Sequence, residues 1–224
     1  MQKVFSIFAQ NLAYYNEGSI EGGWLDLPQS PEIIDKYLKE VVKVDDEHEE
    51  YEIADVDNTQ PFPYDSIQWS SVEKLNNLAV IYSKLNEFQR EAIQAYLVYV
   101  GEEHYDISEL VNICLQVDNI NYYQYNFEGL EYNKDCSPEL KMGYTMAEEN
   151  GLYMQLQKQG IIDYFDFEKY GESFGYDYEL LKNGYLIPND AIDLQLYSEE
   201  EIEEKVNEIL KENLKEKEET EIEI

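Results

Sequence analysis

The hydrophobic period of this chain changes twice, and each change limits what a segment can become. As far as Val56, short apolar runs separated by turn residues carry strand signals. From Ser70 apolar residues recur every three or four positions, the period of a helix packed on one face. Strand signals return at Asn121–Phe127, read NYYQYNF. The blocks predict an α+β chain of three small domains in an elongated array. Their expected limits are 1–66 (α+β), 67–117 (helical) and 118–197 (α+β), with an acidic helical tail over 198–224. No repeat at a solenoid period is present.

Within the first block, Val4–Asn11 and Gly22–Leu27 read as strands. Asn16-Glu17-Gly18 forms a polar turn between them, and Pro28, lacking an N–H for the ladder, ends the second strand. Asn11–Pro28 is thus expected to be strand, loop, strand, with either Trp24 or Leu25 facing inward. Ser30-Pro31 starts a helix to about Val42. Asp45–Glu50 is a loop and Tyr51–Val56 a third strand. Ser70 with Glu73, Asn86 with Gln89, and Asp106 with Glu109 have capping-box spacing and predict three helix starts; Gly101 stops the second of these helices. Ser137-Pro138 opens a helix ending at Asn150-Gly151. Short helices are expected near Met154–Gln159 and Phe167–Ser173, and strands at Gly184–Ile187 and Ala191–Tyr197. In the tail, Ser198 and Glu201 form a capping box, and Ile202, Val206, Ile209, Leu210 and Leu214 lie on one stripe. That pattern reads as a surface helix with a frayed end.

Charge decides which partners such a chain can have. The 224 residues hold 49 acids and 16 bases, a net charge of −33. The excess is distributed: −11 over 1–66, −4 over 67–117, −10 over 118–197 and −8 over 198–224. A surface this acidic repels nucleic acid and phospholipid headgroups and attracts basic surfaces, and its self-repulsion opposes compaction. Duplex DNA carries one charge per about 1.7 Å of axis, so the excess matches roughly 56 Å, about 16 base pairs. Lysine dominates the bases and Ile, Leu and Tyr are plentiful, which argues against a halophile's composition.

Catalytic chemistry is hard to find. His48 and His104 sit among glutamates without partners at metal-ligand spacing. Asp55-Val56-Asp57-Asn58-Thr59 begins like a calcium loop, but Gln60 and Ser66 stand where glycine and glutamate are needed. Phosphate-binding and nucleophile-elbow patterns are absent. No catalytic residue, metal ligand or cofactor is assigned. Cys114 and Cys136 are expected as free thiols in a reduced cytoplasmic protein, since no leader sequence opens the chain, and no apolar run is long enough to span a membrane.

Three blocks carry a resemblance. The first is Asn11-Leu12, Tyr15-Asn16-Glu17-Gly18, Gly22, Trp24 and Leu27-Pro28. The second is Glu50-Tyr51-Glu52-Ile53-Ala54-Asp55, followed by Leu75-Asn76. The third holds Asp135-Cys136-Ser137, Gly143-Tyr144, Glu148-Glu149-Asn150-Gly151, Ile162-Asp163-Tyr164 and Glu168-Lys169-Tyr170-Gly171. In order and spacing they resemble the ArdA antirestriction proteins, over about residues 4–187. The resemblance implies a DNA mimic of three small domains, from a mobile element or phage, that dimerises through the third. It implies as partner a Type I restriction-modification enzyme, whose methyltransferase and specificity subunits form the DNA groove, or another DNA-binding defence protein. No direct nucleic-acid contact and no membrane is implied. The sequence departs from the family at Glu172, where an arginine is expected, around Asp118–Tyr132, and in the tail.

The carboxylates expected to meet the partner are Glu17, Asp26, Asp55, Asp57, Asp135, Glu148, Glu149, Asp163, Asp166 and Glu168. Tyr122, Tyr123, Tyr125 and Phe127, on an aromatic strand that invites pairing if left at an edge, are the expected dimer contacts. The competing expectation is an acidic binding or scaffold module that engages a basic protein without imitating DNA.

Overall fold

The computed structural model describes residues 2–101, 105–126, 136–188 and 196–222, with side chains as far as Asn213. In chain order the elements are β1 (Phe5–Asn11), α1 (Leu12–Asn16), β2 (Gly22–Leu27), α2 (Pro31–Glu40), β3 (Tyr51–Asp57), α3 (Tyr64–Gln68), α4 (Val72–Lys84), α5 (Glu87–Val100) and α6 (Ile107–Leu115). There follow β4 (Tyr122–Gln124), α7 (Pro138–Glu149), α8 (Leu152–Gln159), α9 (Phe167–Glu172), β5 (Glu179–Leu180), β6 (Gly184–Leu186) and α10 (Glu199–Ile222). The fold is α+β, with two small antiparallel sheets. Two compact units divide the chain: 1–90 with 101–117 and 194–224, and 91–100 with 118–193.

The first unit is built on the sheet β2-β1-β3. Phe5, Ile7, Ala9, Leu27 and Ile53 are buried on its inner face. There α2 is fixed by Tyr37, whose hydroxyl accepts from Ala9 N at 3.1 Å and donates to Gly23 O at 2.6 Å. Burial raises the Tyr37 phenol above its usual range. Of the two inward candidates on β2, Leu25 is the less exposed, and Trp24 is half exposed with its ring edge-on to Phe8. The expected loop after β1 contains a helix instead. Asn11 caps α1, its side chain accepting from Ala13 N and Tyr14 N and donating to His48 O at 2.9 Å. Asparagine at that position satisfies helix donors and a loop carbonyl from one buried side chain.

The helices α4 and α6 of this unit, and α5, whose residues from Glu91 on belong to the second unit, start nearly where capping chemistry predicts. Asp106–Glu109 is a complete capping box, and Asn86 and Gln89 bond reciprocally. One start moves by a residue: the cap of α4 is Ser71, accepting from Lys74 N at 3.3 Å, and Ser70 bonds Ser66 O instead. Leu75, Leu78, Ala79 and Tyr82 form the buried stripe. α5 closes at Gly101, whose φ of +69° suits a residue without Cβ. Arg90, the chain's one arginine, donates to Tyr82 O and Ser83 O, and its charge lies 5.1 Å from the Tyr82 ring centre. It neutralises the carbonyl end of α4, a structural use. α10 packs on α4 through buried Ile202 and Val206. Lys74 reaches Glu199 at 2.6 Å.

The second unit contains the sheet β4-β6-β5 and the helices α7–α9. Only Tyr122–Gln124 of the expected Asn121–Phe127 strand is in the ladder; Phe127 lies outside the described residues. Gly143 and Gly171 set the crossing of α7 and α9. A Cβ on Gly143 would overlap the carbonyl of Phe167, and one on Gly171 the carbonyl of Glu139. The crossing therefore runs backbone to backbone, and Met142, Met146, Ala147, Leu156 and Phe167 fill the cores beside it. The expected strand at Ala191–Tyr197 falls mostly on residues outside those described, and Leu196 and Tyr197 are in no ladder.

Candidate functional site

The outer face of the first sheet gathers three of the expected carboxylates. On β1, Ser6 lies between Asp26 of β2 and Asp57 of β3, and Phe8 lies between Trp24 and Asp55. Strands stand about 4.8 Å apart, so acids on the two flanking strands are about 9–10 Å apart across the sheet. Asp55 and Asp57 are about 7 Å apart along β3. Lys3, Ser6, Trp24, Asp26, Asp55 and Asp57 line one open depression of about 440 Å³.

A one-residue irregularity creates this face. Asp55 pairs with Phe8 but Ile53 with Ala9, so Ala54 is an extra residue on β3. Strict alternation from buried Ile53 would turn Asp55 and Asp57 toward the core. The bulge shifts the parity by one, and both are exposed.

Local bonds hold these side chains. Asp26 accepts from Ser6 Oγ at 2.7 Å and pairs with Lys3 at 2.9 Å; the hydrogen bond from Lys3, then that from Ser6, holds its carboxyl below the usual range. Asp55 accepts from Val56 N, and Asp57 from Asn58 Nδ2, each at 2.8 Å. Glu52, absent from the expected set, completes the face by accepting from Gln10 Nε2 at 2.7 Å. No local sequence signal marks it, because its place opposite buried Gln10 depends on the β1–β3 register. Glu17, at the end of α1, is exposed, away from the sheet register.

In the second unit the expected acids fall into two kinds. Asp166 caps α9 through Lys169 N at 3.0 Å, and Glu168 accepts from Ser137 Oγ at 2.6 Å, linking the start of α9 to that of α7. These two have structural work. Glu148 and Glu149 are exposed in the last turn of α7, which holds no base. There the helix dipole opposes negative charge. Asp163 is exposed in a 3₁₀ turn, next to Tyr164, which is 89% exposed. Asp135 lies outside the described residues.

The expected dimer residues do not share one surface. Tyr122 is buried, its hydroxyl donating to Glu91 at 3.2 Å, and burial raises its phenol. Tyr125 packs in the core with its hydroxyl on Leu181 O. Tyr123 is 45% exposed and stacks on Tyr185. Among the described residues β4 is bonded to β6 and ends the sheet order β4-β6-β5.

The described residues contain no group of three or more potential metal ligands, and burial pushes the Cys114 thiol up, away from reactivity. No described helix is long and apolar enough to cross a membrane.

No curated protein matches the chain. The sequence profile described as Antirestriction protein (ArdA) matches residues 7–187, which takes in the sheet-face acids, the α4 to α6 helices and the α7–α9 crossing. On that match, over most of its length, the chain belongs to the ArdA antirestriction protein family.

Proposed function

We propose that the protein blocks a Type I restriction-modification enzyme by occupying, as a DNA mimic, the groove that its methyltransferase and specificity subunits present to DNA. The observation that carries this is the outer face of the first sheet. Its carboxylates sit on both strands flanking β1, those of β3 turned outward by the Ala54 bulge, and are held by short bonds. Their separation of about 9–10 Å lies between the widths of the two DNA grooves, about 6 and 12 Å. A preset array loses less entropy on binding than mobile side chains would. The net −33 supplies the long-range attraction that draws such a face to a basic cleft.

In this reading the chain is used as three consecutive parts, 1–66, 67–117 and 118–197. It acts in the cytoplasm of a host invaded by a phage or mobile element. Two copies join through the third part, doubling the span toward roughly 30 base pairs of charge. Phage plating on hosts with individual Type I systems tests the function, and relief of restriction is expected for at least one. Relief for none refutes it. In vitro, excess cognate duplex should abolish binding to the enzyme. Binding that survives excess duplex would instead identify an acidic module with a site away from the DNA groove. Light scattering in moderate salt, where repulsion is screened, tests the dimer; a monodisperse monomer at tens of micromolar overturns it.

A further inference from the structure

The surface beyond the family match has a feature that the DNA-groove reading does not use. α10 begins twelve residues after the match ends at 187. Packed on α4, it leaves two adjoining depressions between itself and α2, of about 350 and 640 Å³, that share Pro31, Asn207 and Leu210. Ile34, Leu38, Val206 and Leu210 supply an apolar floor, and Ile33 stands 45% exposed at the wider end. Carboxylates edge the floor: Asp35 and Glu73 on one side and Glu203 on the other, with Lys211 as a base at the far end. In the wider depression Asn213 contributes a buried Nδ2 donor with no acceptor among the described residues.

We propose that this groove receives a basic amphipathic helix of a partner protein. Helix-in-groove recognition needs an apolar floor for residues at i, i+3, i+4 and i+7, with compatible charge on both rims. The α10 wall from Glu203 to Asn213 runs about 15 Å, enough for two to three turns of a bound helix. Charge selects the occupant. The rims are acidic on both walls, and the whole chain carries −33, so an acidic or neutral helix would meet repulsion or no attraction. The acidic rims disfavour a second copy of this chain in this groove. The open Asn213 donor would meet an acceptor on the arriving helix.

Fluorescence anisotropy on the full chain tests this with two labelled synthetic peptides of identical composition. One places leucines at i, i+3, i+4 and i+7 with lysines on the flanks, and the other scrambles them. The amphipathic peptide is expected to bind at least about tenfold more tightly, and the gap should persist in moderate salt because it comes from apolar burial. Leu210→Lys and Ile33→Lys are each expected to weaken the amphipathic peptide by about tenfold and the scrambled one little. Circular dichroism checks folding, and Ile33, already exposed, keeps the test decisive if Leu210→Lys unfolds. Equal binding of the two peptides would mean mere attraction of opposite charges and would overturn the proposal. So would an Ile33→Lys variant that binds as tightly as the parent, or a self-association abolished by Leu210→Lys.

Discussion

The outer face of the first sheet and the α7–α9 crossing hold acids in opposite ways. On the sheet, backbone register sets each carboxylate, and the neighbours that bond Asp26, Asp55 and Asp57 come from the sheet itself or its flanking residues. At the crossing, two glycines set the helix separation, and the acids gather at helix ends. Some of those, Asp166 and Glu168, help to build the fold. Others, Glu148 and Glu149, sit where the helix dipole works against them. Acid content by itself therefore does not mark function. In the proposed reading, charge placed at a cost to stability, or turned outward by a backbone irregularity, is the charge that meets the partner.

The largest effect should come from charging the inner face of β3. Deleting Ala54 should leave the fold intact, since Ile53 stays inward and Asp55 outward, but Ile53→Asp puts an unpaired carboxylate on the buried inner face at a cost of several kcal/mol. With Ile53→Asp the first unit is expected to lose its fold. Fluorescence of Trp24 and Trp69, both in that unit, reports it; a native-like emission spectrum of Ile53→Asp, or an unfolded one of the Ala54 deletion, would show that register is not what orients the acids.

Next in size is the crossing. Gly171→Ala should cost roughly 3 kcal/mol or more, because the obstruction is backbone and cannot rotate away. Urea unfolding measures it, and a loss under about 1 kcal/mol would mean that the helices can separate cheaply.

Smaller effects separate functional from structural acids. The triple change Asp26→Asn, Asp55→Asn, Asp57→Asn should weaken inhibition by roughly tenfold, since exposed charges are worth about 0.2–1 kcal/mol each. Glu148→Gln with Glu149→Gln should weaken inhibition and slightly raise stability, by about 0.3–1 kcal/mol, as the dipole's opposition is relieved. Titrating a restriction assay and measuring Tm on the same variants checks both. If the Glu148/Glu149 pair lowers Tm, those residues belong with Asp166 and Glu168 as structural acids.

The mildest comparison is by pH. Burial raises Tyr51 and Tyr82 in the first unit and Tyr185 in the second to about 12. A phenol whose pKa is higher folded than unfolded stabilises fully below the unfolded value near 10, and that contribution is lost as pH rises toward 12. Both units should therefore weaken over the same alkaline window, with tyrosinate absorbance lagging behind that of exposed phenols. A transition complete below pH 10 would rule these tyrosines out as its cause.

Local chemistry was legible from the sequence because it depends on neighbours a few residues apart. Capping at Asn86, Asp106 and Ser198, the Pro31 and Pro138 helix starts, the buried α4 stripe and the ends of β2 all follow from such short-range rules. The family resemblance was legible in the same way, from ordered motif blocks, and the distributed charge from simple counting. Long-range pairing decided the rest. That Asn11 caps a helix while reaching His48 depends on where β3's approach places that loop. That Gly143 and Gly171 meet depends on two helices separated by seventeen residues of chain. Above all, Asp55 and Asp57 face outward only because β1 accommodates Ala54 as an extra residue. Period-two reasoning along β3 points them the other way, since register belongs to the pair of strands and cannot be read from either one alone.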